Sequence, residues 1–137
     1  MMTQNPSFDE WNKKIIAKEL TPDGDLLPPW QRYPEIPRYS LGWRMGDGES
    51  YIMAWFQWTE SFTQEQMLAY FHKYKPIPPA WMDWAAAELG HDDAYHDVFK
   101  GGGEFKGILW LEEQGLADYE AFHQWFEEEQ KKLDAEQ

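Results

Sequence analysis

A mainly α protein is the fold class this sequence predicts: a compact bundle of five to seven short helices with a Pro/aromatic-rich extended arm at about residues 22–42. Three observations predict it. Apolar residues recur at three- and four-residue spacing along most of the chain. Helix-start and helix-stop residues bracket those runs. Pro22, Pro28, Pro29, Pro34 and Pro37 crowd one segment, where they forbid a helix interior and most ladder positions. The 137 residues suit a single domain, 1–137, and 24 aromatics (9 Trp, 7 Tyr, 8 Phe) supply its core. An aromatic load of that size argues against disorder despite a mean hydropathy of −0.78.

The elements follow in order. Ser7-Phe8-Asp9-Glu10 reads as a capping box, and Phe8, Trp11, Ile15 and Ile16 continue at helical spacing to about residue 20. Thr21-Pro22-Asp23-Gly24 supplies turn chemistry that stops the helix. In the arm, Trp30, Tyr33, Ile36, Tyr39 and Leu41 are too apolar for a linker, and Tyr39–Trp43 has the composition of a short strand. Asp47 as N-cap and Glu49 in the first turn predict a helix over about 48–59, although a buried strand fits that apolar run as well. Thr63-Gln64-Glu65-Gln66 is a second capping box, opening a helix over about 64–74. Pro79 or Ala80 starts the next, through Trp81, Met82, Trp84, Ala85 and Leu89, and Gly90 suits its C-terminal turn. Residues 91–99 fit a short helix capped by Asp92 or Asp93, ahead of a triple glycine at 101–103. Phe105–Glu113 reads as a further helix closed by Gly115, and Asp118 caps the last, about 119–134.

Charge narrows the functional classes. With 12 Lys+Arg against 25 Asp+Glu, the net charge is −13. Residues 1–75 carry 8 basic and 10 acidic side chains; residues 76–137 carry 4 and 15. Such a field repels nucleic acid and anionic membranes, and it steers a cationic partner inward. The chain has no cysteine, which excludes disulfides, zinc–thiolate sites and a cysteine nucleophile. The N-terminus MMTQNPSFDEW has neither the basic nor the apolar region of a signal peptide. The longest uncharged apolar-rich stretch, Ser50 to Thr59, is far short of the ~20 residues of a membrane span. A cytoplasmic protein is the expectation.

Residues that could carry chemistry are sparse. His91-Asp92-Asp93-Ala94-Tyr95-His96-Asp97 holds metal-ligand types, with Asp92 and His96 at i,i+4, but no second pair at metal spacing accompanies it. A solvated acidic loop explains it better, so no metal or other cofactor is expected. Gly42 to Tyr51 is neither a dinucleotide fingerprint nor a P-loop. Gly46 and Gly48 suit a tight helix entry, while Arg32, Arg38 and Arg44 lie near enough in sequence to hold an anion. None of the four serines sits in a nucleophile motif, and 25 acids make carboxylate pairs uninformative, so no catalytic residue is assigned and no enzyme is expected. Most tryptophans fall on apolar faces and read as core. The aromatic number still exceeds what such a core requires, so one or two belong on an exposed recognition surface. The acids Asp92, Asp93, Asp97, Glu104, Glu112 and Glu113 bracket the triple glycine and form the candidate partner-binding set.

The segment WRMGDGESY behind the arm PPWQRYPEIPRYSLG resembles small bacterial proteins rather than an enzyme family. In size, acidity and lack of cysteine the whole chain resembles immunity proteins of bacterial toxin–immunity pairs. That resemblance implies a cytosolic inhibitor that caps a basic toxin domain or effector. Two alternatives stand beside it. One is a binder or enzyme for a small anion at Arg32, Arg38 and Arg44. The other is a nucleic-acid mimic that occupies a DNA-binding protein.

Overall fold

A computed structural model describes residues 6–91 and 105–135. Among them the chain is mainly helical, with no strand, and no helix is long and apolar enough to cross a membrane. The helices are α1 (Pro6–Glu19), α2 (Pro29–Arg32), α3 (Gly46–Thr59), α4 (Gln64–Lys73), α5 (Met82–Glu88), α6 (Lys106–Glu113) and α7 (Tyr119–Ala135). Two 3-10 turns, Leu41–Trp43 and Pro79–Trp81, join them. The chain divides into two compact units, Met1–Thr63 and Gln64–Gln137.

In the first unit α1 packs on α3. The seam centres on a polar pair: Asn12, 3% exposed, donates from Nδ2 to Gln57 Oε1 at 2.9 Å. A buried amide needs such a partner, because leaving it unpaired costs roughly 1–3 kcal/mol. Thr21 closes α1 as its turn chemistry predicts, exchanging hydrogen bonds with Asp25 around Gly24 at φ +85°. The arm then turns inward. Leu26, Pro28, Pro29 and Trp30 are buried, and α2 is one helical turn with Pro29 at its start, where a missing N–H costs nothing. Tyr51 of α3 holds this segment down, its hydroxyl donating to Leu27 O at 2.6 Å.

Two local expectations change. Tyr39–Trp43 is no strand: Ser40 Oγ accepts from Gly42 N at 3.0 Å and caps the 3-10 turn, and Trp43 Nε1 donates to Pro37 O. With Pro37 removing a donor and no partner strand nearby, local turn bonds win. Asp47 is not the N-cap of α3. The helix starts at Gly46, whose φ of +66° turns the chain in, and Asp47 lies in the first turn beside Glu49. The 48–59 run itself is helix and not strand. Gly48 is required for a different reason: a Cβ there would overlap the Gly42 carbonyl and press on Ile36 Cδ1 at 3.1 Å.

The second unit is built on aromatics. Met67, Tyr70 and Phe71 are the buried stripe of α4, with Thr63 at the cap position ahead of it. Trp84 meets Phe71 and Trp81 edge-on at 6.2 and 5.3 Å, and Phe105 meets Phe122 and Phe126 at 5.2 and 5.0 Å. Both predicted glycine stops are present. At Gly90 (φ +94°) and Gly115 (φ +77°) the following residues, His91 and Leu116, donate back to Ala86 O and Leu111 O, each at 2.9 Å. That is the Schellman closure, and buried Leu116 adds its hydrophobic contact. Asp118 caps α7 as predicted, with Oδ1 accepting from Ala121 N at 3.1 Å.

The two glycines at the α3 entry make separable demands. Gly46→Ala has space for its methyl and only a strained φ, so it should lose about 1–2 kcal/mol. Gly48→Ala must push the Gly42 backbone away and should lose roughly 3 kcal/mol or more. Urea unfolding of both variants checks the order; equal losses would disprove the close approach.

Candidate functional site

One face of α1 does not go to the core. Trp11, Lys14, Ile15 and Lys18, at i, i+3, i+4 and i+7, form one wall of a cleft of about 380 Å³ in the first unit. Asp47, Ser50 and Tyr51 of α3 form the other wall, and Arg32 and Tyr33 line it from the α2 turn. Trp11 is 56% exposed there, although it lies one residue from the buried Asn12. The face of α1 that meets α3 is thus set by the Asn12–Gln57 pair, which leaves the indole outside the core.

Arg32 is held rigidly. Its Nε and Nη2 donate to the two oxygens of Glu19 at 2.7 and 3.1 Å, a bidentate pair. Its guanidinium lies 4.3 Å from the centre of the Tyr33 ring and 5.9 Å from that of Tyr51. The two tyrosines meet edge-on at 5.7 Å. The hydrogen bond from Arg32 holds the Glu19 carboxyl below its usual range, against the opposing pull of burial, and Glu19 in turn raises Arg32. Burial pushes the Tyr33 phenol up, with Arg32 opposing and Asp47 adding to it. The pair is thus ionised and Tyr33 neutral at physiological pH.

Lys13 pairs with Asp9 at 3.0 Å, whereas Lys14 and Lys18 form no ion pair with a described residue. Arg32 Nη1 likewise makes no hydrogen bond to a described residue. The cleft therefore offers two ammonium groups, the spare edge of a fixed guanidinium, an open indole, and the oxygens of Ser50 and Asp47.

The sequence-predicted residues are distributed unevenly. Arg32 lines the cleft, but Arg38 and Arg44 do not. Arg38 lies over the Tyr39 ring at 4.8 Å, and Arg44 is exposed beyond the 3-10 turn. Of the acidic set, Asp92, Asp93, Asp97 and Glu104 lie outside the described residues, as does the predicted helix at 91–99. Glu113 is exposed at the end of α6. Glu112 is exposed but also structural, with Oε2 accepting from Tyr119 N at 2.8 Å. His91, the described start of the His/Asp segment, stacks on Trp110 at 4.0 Å. Trp11 and Tyr39 are, among the described residues, the aromatics left more than half exposed. Trp11, Lys14 and Lys18 escaped the sequence reading because the Phe8/Trp11/Ile15 stripe looks like a core face. The available signal was Asn12, a polar residue one helical turn from both Phe8 and Ile16.

Comparison with protein-family models, with curated proteins and with solved structures found no match to this chain.

The Glu19–Arg32 pair generates a pH prediction. A carboxyl whose value is depressed by folding contributes stability above its unfolded value, and this is lost as pH falls through the folded one. Glu19→Gln should therefore be about 1 kcal/mol less stable than wild type at pH 7, a modest figure because water screens the partly exposed guanidinium. The gap should narrow at a pH below the usual carboxylate range. Urea unfolding at both pH values measures it, and a gap independent of pH would mean the pair contributes only packing.

Proposed function

We propose that the protein is a binding module that docks a basic protein through the acidic surface of its second unit. The observation that supports this is the disposition of charge on α6 and α7. Both helices bury their apolar side, Ile108 and Leu111 on one and Phe122 and Phe126 on the other. Glu112, Glu113, Glu120, Glu127 and Glu128 face solvent. Residues 64–137 carry 16 acidic and 6 basic side chains, a net −10, against 9 and 6 in residues 1–63. A surface so unbalanced costs self-repulsion and raises the rate of encounter with a cation. In the first unit, Tyr39, Leu41 and Met45 stand more than half exposed within seven residues, and Tyr39 is of the side-chain type that anchors a protein interface.

The specific form of this reading is an inhibitor of a cationic toxin or effector, as in bacterial immunity proteins. Carboxylates steer the encounter, and desolvated aromatic contacts hold the complex. No catalytic step is assigned to this chain.

The test is affinity capture from native cells at low and moderate salt, followed by association kinetics with the protein retained. A single basic protein should be held stoichiometrically. Its association rate should fall at least about tenfold for Glu120→Lys/Glu127→Lys/Glu128→Lys, because steering responds to each rim charge. A partner displaced by duplex DNA would identify the nucleic-acid-mimic form of the same idea. An association rate and salt dependence unmoved by charge reversal would refute the acidic surface as the docking site.

A further inference from the structure

We infer that the cleft between α1 and α3 binds a small aromatic phosphate monoester of nucleoside-monophosphate size, independently of any protein partner. In a chain of net −13, Lys14 and Lys18 stand on one wall without a carboxylate partner among the described residues, and Arg32 lines the same cleft. Glu19 is bound by both nitrogens of Arg32, and the attraction of Lys18 is the smallest of the influences on its carboxyl. Two free ammonium groups and the open Nη1 edge match a dianion better than a monocarboxylate, and a phosphate monoester carries −1.5 to −2 at neutral pH. Arg32 is preorganised for that role, because its pair with Glu19 and its stack on Tyr33 fix the plane of the fork before any ligand arrives.

Shape and the remaining groups specify the rest of the ligand. The indole of Trp11 is open at the same cleft, and an exposed indole at an anion site is a stacking platform for a planar ring. Ser50 and Asp47 face the lysines from the opposite wall with a hydroxyl and a carboxylate. Asp47 would repel a second anionic group and accept from hydroxyls, which suits a sugar between ring and phosphate. A cleft of about 380 Å³ is large enough for such a molecule and too small for a dinucleotide cofactor. A phosphate monoester a short way from a planar ring describes both a free nucleotide and a phosphotyrosine side chain; the chemistry recognised is shared.

Isothermal titration with AMP, GMP, CMP and UMP tests it, with adenosine, ribose 5-phosphate, inorganic phosphate and a phosphotyrosine peptide as comparison ligands. At least one nucleoside monophosphate should bind, with adenosine and ribose 5-phosphate at least about tenfold weaker, since each lacks one of the two recognised groups. Trp11→Ala should weaken binding about five- to a hundredfold through lost stacking. Lys14→Gln/Lys18→Gln should weaken it at least about tenfold and flatten its salt dependence. All three positions are on the surface of α1, and circular dichroism confirms that the variants fold. Tighter binding of the phosphotyrosine peptide than of every nucleotide would keep the aromatic phosphate site and overturn the nucleotide as its occupant. No binding by any aromatic phosphate at millimolar concentration, or binding unchanged in the double lysine variant, would overturn the inference.

Discussion

The bidentate contact between Arg32 and Glu19 organises the amino-terminal unit. It joins the single turn of α2 to the last turn of α1, and so it anchors the arm at its midpoint. From that anchor Pro28, Pro29 and Trp30 settle into the core, and Tyr33 is brought edge-on to Tyr51. Tyr51 in turn reaches the backbone at Leu27. A proline-rich segment has few N–H groups with which to bond itself to a neighbour. The arm is therefore held by side-chain bonds and burial rather than by a backbone ladder.

The two units solve the same problem with different means. The first is pinned by three polar contacts: Asn12 with Gln57, Tyr51 with Leu27, and Arg32 with Glu19. Each has a directional requirement, and the first of them determines which face of α1 is inside. The second relies on edge-to-face rings and on glycine-closed helix ends, with its charge displaced outward. The cation-lined cleft belongs to the first unit, between the polar-pinned helices α1 and α3.

The sequence was most informative where a single residue type has one physical use. Gly90 and Gly115 announce helix ends because only glycine takes a positive φ cheaply, and Asp118 announces a start because its oxygen bonds a free amide of the first turn. It was ambiguous where two local solutions compete. At Ser40 a turn prevailed over a strand through one side-chain bond, and at the start of α3 the backbone freedom of Gly46 moved the entry ahead of Asp47. The candidate site was legible only in part. Arg32 was visible as a cation among aromatics. Trp11 was not, because apolar periodicity reports that residues share a face and not whether that face meets a helix or a cleft. The decision was made 45 residues away, at Gln57.

That separation has a meaning for the growing chain. α1 is 14 residues long, close to the length at which an isolated helix is marginal in water. The partner that selects its inner face emerges only after Gln57 has been translated. At about 5–20 residues per second the interval is roughly 2–9 s. Throughout it Phe8, Trp11, Ile15 and Ile16 are all equally open to solvent and to any chaperone near the ribosome. The nascent segment has no inside until α3 arrives, and Asn12, the most polar residue of its apolar run, then becomes the one that is enclosed.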